Sequence, residues 1–269
     1  MTKVLPVDCI SNIISLTSPK DACRTCSVAS VFRTAEDSDT VWERFLPGHY
    51  EDMIARSSSQ SFFTSSLTKK QIFFHLCDHP VLLNDGKMCL GLEKDSGKKC
   101  CMLSAKGLTI VWADRKSYWQ WISLPESRFT EVAKLNHVWW LDIKARVKVN
   151  DLLSPGTIYS AFFVYKLEEE HSMADRYVEL SVNNEESVSG SHRRVILDPS
   201  SKHSIMKKKQ RASARKREDG WMEVEMGEFF ISGHYGCEGF TEFRLWETNG
   251  YIKDGLIVEG IEFRPKCCV

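Results

Sequence analysis

The chain has 269 residues, of which 42% are hydrophobic and 27% charged, and its formal net charge is zero. That length can bury a sizeable core in one or two domains. The balanced charge excludes a global field of the kind that draws a protein to nucleic acid or to an anionic surface. No stretch of about 18 apolar residues is present, so no membrane span is expected. The opening "MTKVLPVDCISNII" does not read as a secretory leader. The ten cysteines show no repeating spacing and are expected as thiols in a reducing compartment, nucleus or cytoplasm.

Residues 5 to about 46 read as three short helices. In the first, Pro6 suits the opening position, Asp8 the dipole, and Ile10, Ile13 and Ile14 an apolar face. The second, "SPKDACRTCSVASVF", opens with Ser18 as N-cap, Pro19 in the first turn and Asp21 at the capping-box position. The third, "SDTVWERFLP", starts at Ser38 and presents Val41, Trp42 and Phe45 before Pro47 stops it. So small a helical unit, residues 1–47, is expected to lean on a partner or on the rest of the chain. Residues 48–98 read as a linker: a serine-rich stretch, "RSSSQSFFTSSLTKK", then a short helix ending before Pro80, then a hairpin turning at "DSG".

From about residue 100 the hydrophobic period becomes two. In "VWWLDIKARVKV", Trp139, Leu141, Ile143, Ala145, Val147 and Val149 fall on one face, and Trp140, Asp142, Lys144, Arg146 and Lys148 on the other. "YSAFFVYKL" is apolar on both faces and should be central. "RYVELSV", "RVIL", "WMEVEMGEFF", "TEFRLWE" and "GIEFRP" add further strands. Many short strands without interleaved helices predict an antiparallel sandwich, jelly-roll-like, over residues 99–266. The fold class is therefore α+β: a small all-α unit followed by an all-β one.

The residues offer little chemistry. "CRTC", Cys23 to Cys26, has a metal or redox spacing but lies in an amphipathic helix with no second pair, and the cysteine doublets at 100–101 and 267–268 complete no four-ligand set. No metal and no cofactor are expected. No nucleophile elbow, phosphate-cradling glycine loop or zinc-protease motif is present. Glu242 and Glu247 sit on strands, where solvated acids are the commoner reading. A non-catalytic protein is expected. "KHSIMKKKQRASARKR", residues 202–217, is basic throughout and reads equally as a solvated loop or as a nuclear-import or phosphate-contacting run. "WADRKSYWQW", residues 112–121, concentrates three tryptophans and a tyrosine around a polar turn. It serves either as core or as a ligand platform.

"LPVDCISNIISLTSPKDACRTCSVASVFRTAEDSDTVWERFLP" resembles an F-box through Leu5, Pro6, Ile10, Ile13, Ile14, Pro19, Asp21, Val28, Phe32, Ser38, Asp39, Trp42 and Phe45. It departs from the usual pattern at Ala22-Cys23 and Ala29-Ser30. The resemblance implies docking on a Skp-type adaptor, and through it a cullin, by Leu5, Pro6, Ile10, Ile13, Ile14, Pro19, Val28, Phe32 and Trp42. The rest of the chain would then serve as the substrate receptor of a ubiquitin ligase.

"LTIVWADRKSYWQW", "VAKLNHVWWLDIKARV", "YSAFFVYKL", "DGWMEVEMGEFF", "FRLWETNG" and "GLIVEGIEFRP", from about 105 to 265, resemble the phloem protein 2 type of lectin domain. That resemblance implies sugar binding by Trp112, Trp119 and Glu247, with Phe240 where a second acid is expected. It also implies nuclear targeting by Lys207, Lys208 and Lys209, and residence in nucleus and cytoplasm. The implied target is a protein that is N-glycosylated or bears N-acetylglucosamine; no membrane or direct nucleic-acid partner is expected. An aromatic face stacks on the C–H face of a pyranose while a carboxylate accepts from its hydroxyls. On the residues alone, Trp112 and Trp119 could equally pack in the core, and Trp121 is assigned there. A lectin with an idle F-box, or a protein-surface receptor with a vestigial sugar site, remain alternatives.

Overall fold

The computed structural model describes residues 5–55, 67–185, 190–200, 214–232 and 239–266. The chain forms two compact units, one of residues 1–83 with 89–100 and 267–269, the other of residues 84–88 with 101–266.

The first unit contains α1 (Val7–Ile14), α2 (Pro19–Thr25), α3 (Ser30–Glu36), α4 (Asp39–Phe45), α5 (Tyr50–Ala55) and α6 (Lys69–Asp78), then strands β1 (Val81–Leu83) and β2 (Met88–Leu92). Local chemistry sets the helix starts. The Ser18 hydroxyl accepts from the Asp21 N–H at 3.1 Å, with Pro19 in the first turn. Thr68 and Gln71 form a reciprocal capping box ahead of α6. The helix expected over 18–32 is two helices, because Ala29 is fully extended (φ −162°, ψ 162°) and α3 restarts after it.

Trp42 centres the core of this unit. Its indole N–H donates to the Glu36 carbonyl at 2.7 Å, and its ring meets those of Phe73 and Phe74, each with centroids 5.2 Å away. Ile10, Ile14, Val41, Leu76, Val81 and Leu92 close around it. The segment expected as a linker, 48–98, therefore supplies α5, α6 and part of the wall. A unit of four short helices buries too little alone, and α6 provides the missing apolar face.

The second unit holds β3 (Lys99–Ser104), β4 (Thr109–Ile110), β5 (Trp119–Ile122), β6 (Val132–Leu135), β7 (Leu141–Val147), α7 (Val149–Leu152), β8 (Thr157–Leu167), β9 (Tyr177–Asn184), β10 (Ser191–Ile196), β11 (Arg215–Lys216), β12 (Met222–Ile231), β13 (Thr241–Glu247) and β14 (Leu256–Pro265). One sheet runs β3-β14-β8-β12-β11, with β6 pairing β14 and β5 pairing β6; the other runs β10-β9-β13-β7-β4. The fold class is the α+β one that the sequence predicts. β8 is central, as its two apolar faces require.

The sheets meet through inward residues. Phe243 of β13 packs on Phe263 of β14 at 4.7 Å and on Phe229 of β12 at 5.2 Å. β14 shifts register against β8 between Val258 and Gly260. A Cβ at Gly260 would lie 1.9 Å from the Leu103 carbonyl oxygen, so glycine alone lets β3 approach there.

Register fixes which loops share an end of the second sheet. Ile196 faces Tyr177, Trp246 faces Glu179, Glu247 faces Leu141, and Ile110 faces Ile143. Loops 111–118, 136–140, 168–176 and 248–255 therefore all leave from this one end. Lys207, Lys208 and Lys209 lie outside the described residues. Within the described end of that basic run, Arg217 pairs with Glu262 at 2.6 Å and with Glu223 at 3.2 Å.

Candidate functional site

Trp112 follows β4 in the left-handed region (φ 61°), which a bulky side chain seldom adopts. The turn holds it there. Ala113 N–H donates to the Ile110 carbonyl at 3.2 Å, Arg115 N–H to that of Trp112 at 2.9 Å, and Tyr118 N–H to that of Arg115 at 2.9 Å. The indole is thereby carried out of the core and is 41% exposed.

Trp112 begins a row of rings. Its centroid is 5.4 Å from that of Tyr118, Tyr118 is 5.5 Å from His137, and His137 is 5.7 Å from Trp139. Trp139 is 48% exposed. Asn136 ties the two loops together: its N–H donates to the Tyr118 carbonyl at 2.8 Å and its side-chain amide to that of Lys116 at 3.0 Å.

An ion pair stands behind Trp139. Lys253 has no solvent exposure; its ammonium lies 2.5 Å from a Glu247 carboxylate oxygen and donates to the Trp139 carbonyl at 2.7 Å and to the Asn249 carbonyl. The other Glu247 oxygen accepts from the Asn249 N–H at 2.8 Å. Burial, then the nearby Arg176 charge, pushes the Lys253 ammonium down to about 8, and the Glu247 contact acts against both. Glu247 and Lys253 thus brace loops 136–140 and 248–253 under the aromatic row. Such a row presents ring faces and edges for C–H stacking, with polar groups fixed beside them.

Three of the expected site residues part company here. Trp112 is in the row, and Glu247 lies beneath it. Trp119 is a correction: it is 1% exposed, with its indole N–H donating to the Val111 carbonyl at 3.1 Å, because β5 turns this position inward where it pairs with β6. Trp121, expected in the core, is half-buried with Lys106 over its ring. Phe240 lies at the opposite end of β13 from Glu247, about 20 Å away at about 3.3 Å per residue. Its identity therefore says nothing about the acid in this site. Tyr118, His137, Trp139 and Lys253 were missed. Period two carried Trp139 into β7, but the strand starts at Leu141 and leaves Trp139 and Trp140 equally exposed.

The F-box set also divides. Leu5, Pro6, Ile13 and Val28 face solvent, joined by Leu16, while Ile10, Ile14, Pro19 and Trp42 are buried and Phe32 is half-buried. Ile10, Ile14 and Trp42 are corrected from docking surface to internal packing, since α1 turns its Ile10–Ile14 stripe onto the Trp42 core, and Pro19 is buried in the first turn of α2. Cys23 and Cys26 stay in α2 and its cap, the Cys26 thiol bonded to the Cys23 carbonyl, and burial raises the Cys23 thiol pKa. Among the described residues no group of three or more metal-ligating side chains converges.

A helical unit with solvent-facing apolar side chains, followed by a β-sandwich with an aromatic row at one end, defines a two-module protein. The family profile described as Phloem protein 2 matches residues 98–265. F-box protein PP2-B10 of Arabidopsis thaliana is 42% identical over 268 residues, covering 97% of this chain and 92% of the relative. F-box protein SKIP3 of the same plant is 41% identical over 271 residues, covering 97% and 87%. The chain belongs to the plant F-box proteins that carry a phloem protein 2, lectin-like domain. Among solved structures, the CBM22-1 xylan-binding domain of Paenibacillus barcinonensis Xyn10C aligns over 62% of this chain and 90% of that domain. At a TM-score of 0.29 and 9% identity, that likeness is too slight to argue from.

Proposed function

We propose that the chain is the substrate-receptor subunit of an SCF-type cullin ubiquitin ligase. Its F-box docks on a Skp-type adaptor, and its lectin-like domain captures a target protein through a glycan. The protein itself is non-catalytic; ubiquitin transfer belongs to partner subunits.

One observation carries the docking half. The helical unit spends Ile10, Ile14 and Trp42 on its own core yet leaves Leu5, Ile13, Leu16 and Val28 exposed, at 55% to 71%. Four large apolar side chains left in water on so small a unit favour a surface made to be covered. The names of the F-box relatives support the same reading. The aromatic row beside the Glu247–Lys253 pair supports glycan capture, with weak affinity for a single sugar because the site is shallow. Residence in nucleus and cytoplasm, with Lys207, Lys208 and Lys209 as the targeting run, completes the proposal.

Co-purification tests it. The wild type should retain a Skp-type adaptor, and Leu5→Ala combined with Ile13→Glu should release it without lowering the melting temperature. An intact protein that retains no adaptor sinks the ligase reading. On a glycan array, Trp112→Ala should lose N-acetylglucosamine-type signals seen with the wild type; equal signals from both would remove the sugar claim at that ring. Imaging after alanine replacement of the three lysines should show loss of nuclear signal.

A further inference from the structure

The end of the sandwich that carries the aromatic row also holds a second feature. A cleft of about 170 Å³ is lined by Arg176, Tyr177, Arg194, Glu247, Asn249 and Tyr251. Drug-sized pockets run to about 300–1,000 Å³, so this one takes a single chemical group. Glu247 belongs to both features. On one side it braces Trp139 through Lys253; on the other it forms part of the cleft wall.

One cation of the cleft, Arg176, is left without a matching carboxylate among the described residues. Glu247 is matched by Lys253 at 2.5 Å. Glu179 is taken by Arg194 at 2.9 Å and by His192 at 3.1 Å. Arg176 has no carboxylate partner among the described residues; its guanidinium donates to the Ile252 carbonyl at 2.8 Å and lies 5.0 Å from the Tyr251 ring centroid. Arg194 lies at the same distance over Tyr177. Each guanidinium is thus steadied by an aromatic ring, that of Arg194 by Glu179 as well, an arrangement suited to a planar, fork-like acceptor at the remaining N–H groups. Arg176 also bears on the buried Lys253 ammonium, adding to burial in lowering its affinity for a proton.

We propose that the Arg176–Arg194 cleft is an oxyanion subsite adjoining the aromatic row, so that the preferred ligand is an acidic oligosaccharide: neutral rings stack along Trp112 to Trp139, and a carboxylate or sulfate on a neighbouring sugar enters the cleft. This rests on the glycan reading above and narrows its ligand class. A free acidic peptide would also answer to the two arginines. The shared loop end and the common Glu247 wall favour a sugar that spans both features.

Calorimetric titration of the full chain tests it, with four probes at low salt. They are a neutral N-acetylglucosamine trimer, the same trimer bearing one uronic acid, the same trimer bearing one sulfate, and a phosphoserine peptide. An acidic trimer should bind about tenfold tighter than the neutral one, equivalent to about 1.4 kcal/mol, and the gain should shrink as salt rises. Whichever acid gains more identifies the anion. Arg176→Gln should abolish the gain and leave the neutral trimer's affinity and the melting temperature unchanged; Arg194→Gln gives an independent second variant. Equal affinity of wild type for neutral and acidic trimers overturns the subsite while leaving the glycan reading intact. So does a gain that survives both substitutions. Binding of neither trimer overturns both readings. An Arg176-dependent grip on the phosphoserine peptide, with no gain for acidic trimers, assigns the cleft to peptide and overturns the sugar assignment.

Discussion

At the scale of single residues, the two tryptophans that the sequence treats alike have opposite duties. Trp119 fills the core and Trp112 leaves it. Trp119→Ala should cost about 3–5 kcal/mol, as large-to-small changes of buried aromatics do, read as a lowered denaturation midpoint. Trp112→Gly should leave stability unchanged or raise it, because glycine adopts φ 61° without a Cβ penalty, yet it should lose glycan binding. If Trp112→Gly unfolds the domain, Trp112 is a core residue and the row loses its first ring. The ion pair gives a second test. Lys253→Met strands the buried Glu247 carboxylate and should cost about 3–5 kcal/mol, whereas Lys253→Met with Glu247→Gln should recover most of that. Equal losses in single and double variants would show that the pair is not coupled. The lectin resemblance made Trp112 and Glu247 legible as candidates, but not Trp119's burial, because which face of a four-residue strand turns inward is set by its pairing with β6. Lys253 was invisible for another reason. A fully buried lysine is rare, and only the meeting of loops 136–140 and 248–253 gives it its partners.

Among the elements, β12 and β14 carry a layer of charge that binds the loops over them. Glu262 of β14 pairs with Arg128 at 2.7 Å and Arg217 at 2.6 Å, and Glu223 of β12 pairs with Arg264 at 2.6 Å. Burial pushes the Glu262 carboxyl upward, but Arg128, Arg217 and Arg264 outweigh it and hold it below the usual range. A carboxyl depressed in the folded state contributes stability above its unfolded pKa and loses it as pH falls through the folded value. The sandwich should therefore lose stability below about pH 4.5, near the unfolded glutamate value, and Glu262→Gln should flatten that limb while lowering stability at pH 7. Glu259, which burial raises, works in the opposite sense by favouring its protonated form in the fold. An acid limb as steep in Glu262→Gln as in wild type would remove Glu262 as its source. The strands themselves were readable because burial alternates along β13 and because β8 is apolar on both faces. The charge layer was not, since the run "RASARKR" looks solvated until Arg217 meets Glu223, six residues on, and Glu262, 45 residues on.

For the whole molecule, the boundary that sequence places after residue 47 cuts through a core. Motif recognition ends where the F-box pattern ends, but burial does not. Trp42 is enclosed by Phe73 and Phe74 from α6, and Leu76, Val81 and Leu92 belong to the same buried cluster. A segment whose first third is serine-rich reads as a spacer, because composition reports the average and not the few apolar residues that matter. It follows that the stability of the helical unit depends on residues outside the F-box pattern. Phe73→Ala should destabilise the helical unit by about 3–5 kcal/mol and weaken adaptor co-purification in proportion to the unfolded fraction, with binding restored on cooling or in a stabilising osmolyte. Leu5→Ala with Ile13→Glu should instead lose the adaptor at full stability, so circular-dichroism melts and adaptor retention, measured together, separate support from contact. A chain of residues 1–47 that melts cooperatively at the full chain's midpoint for the helical signal would show that α6 is dispensable. A non-cooperative, early loss of that signal is the expected result, since four short helices without α6 leave Trp42 facing water.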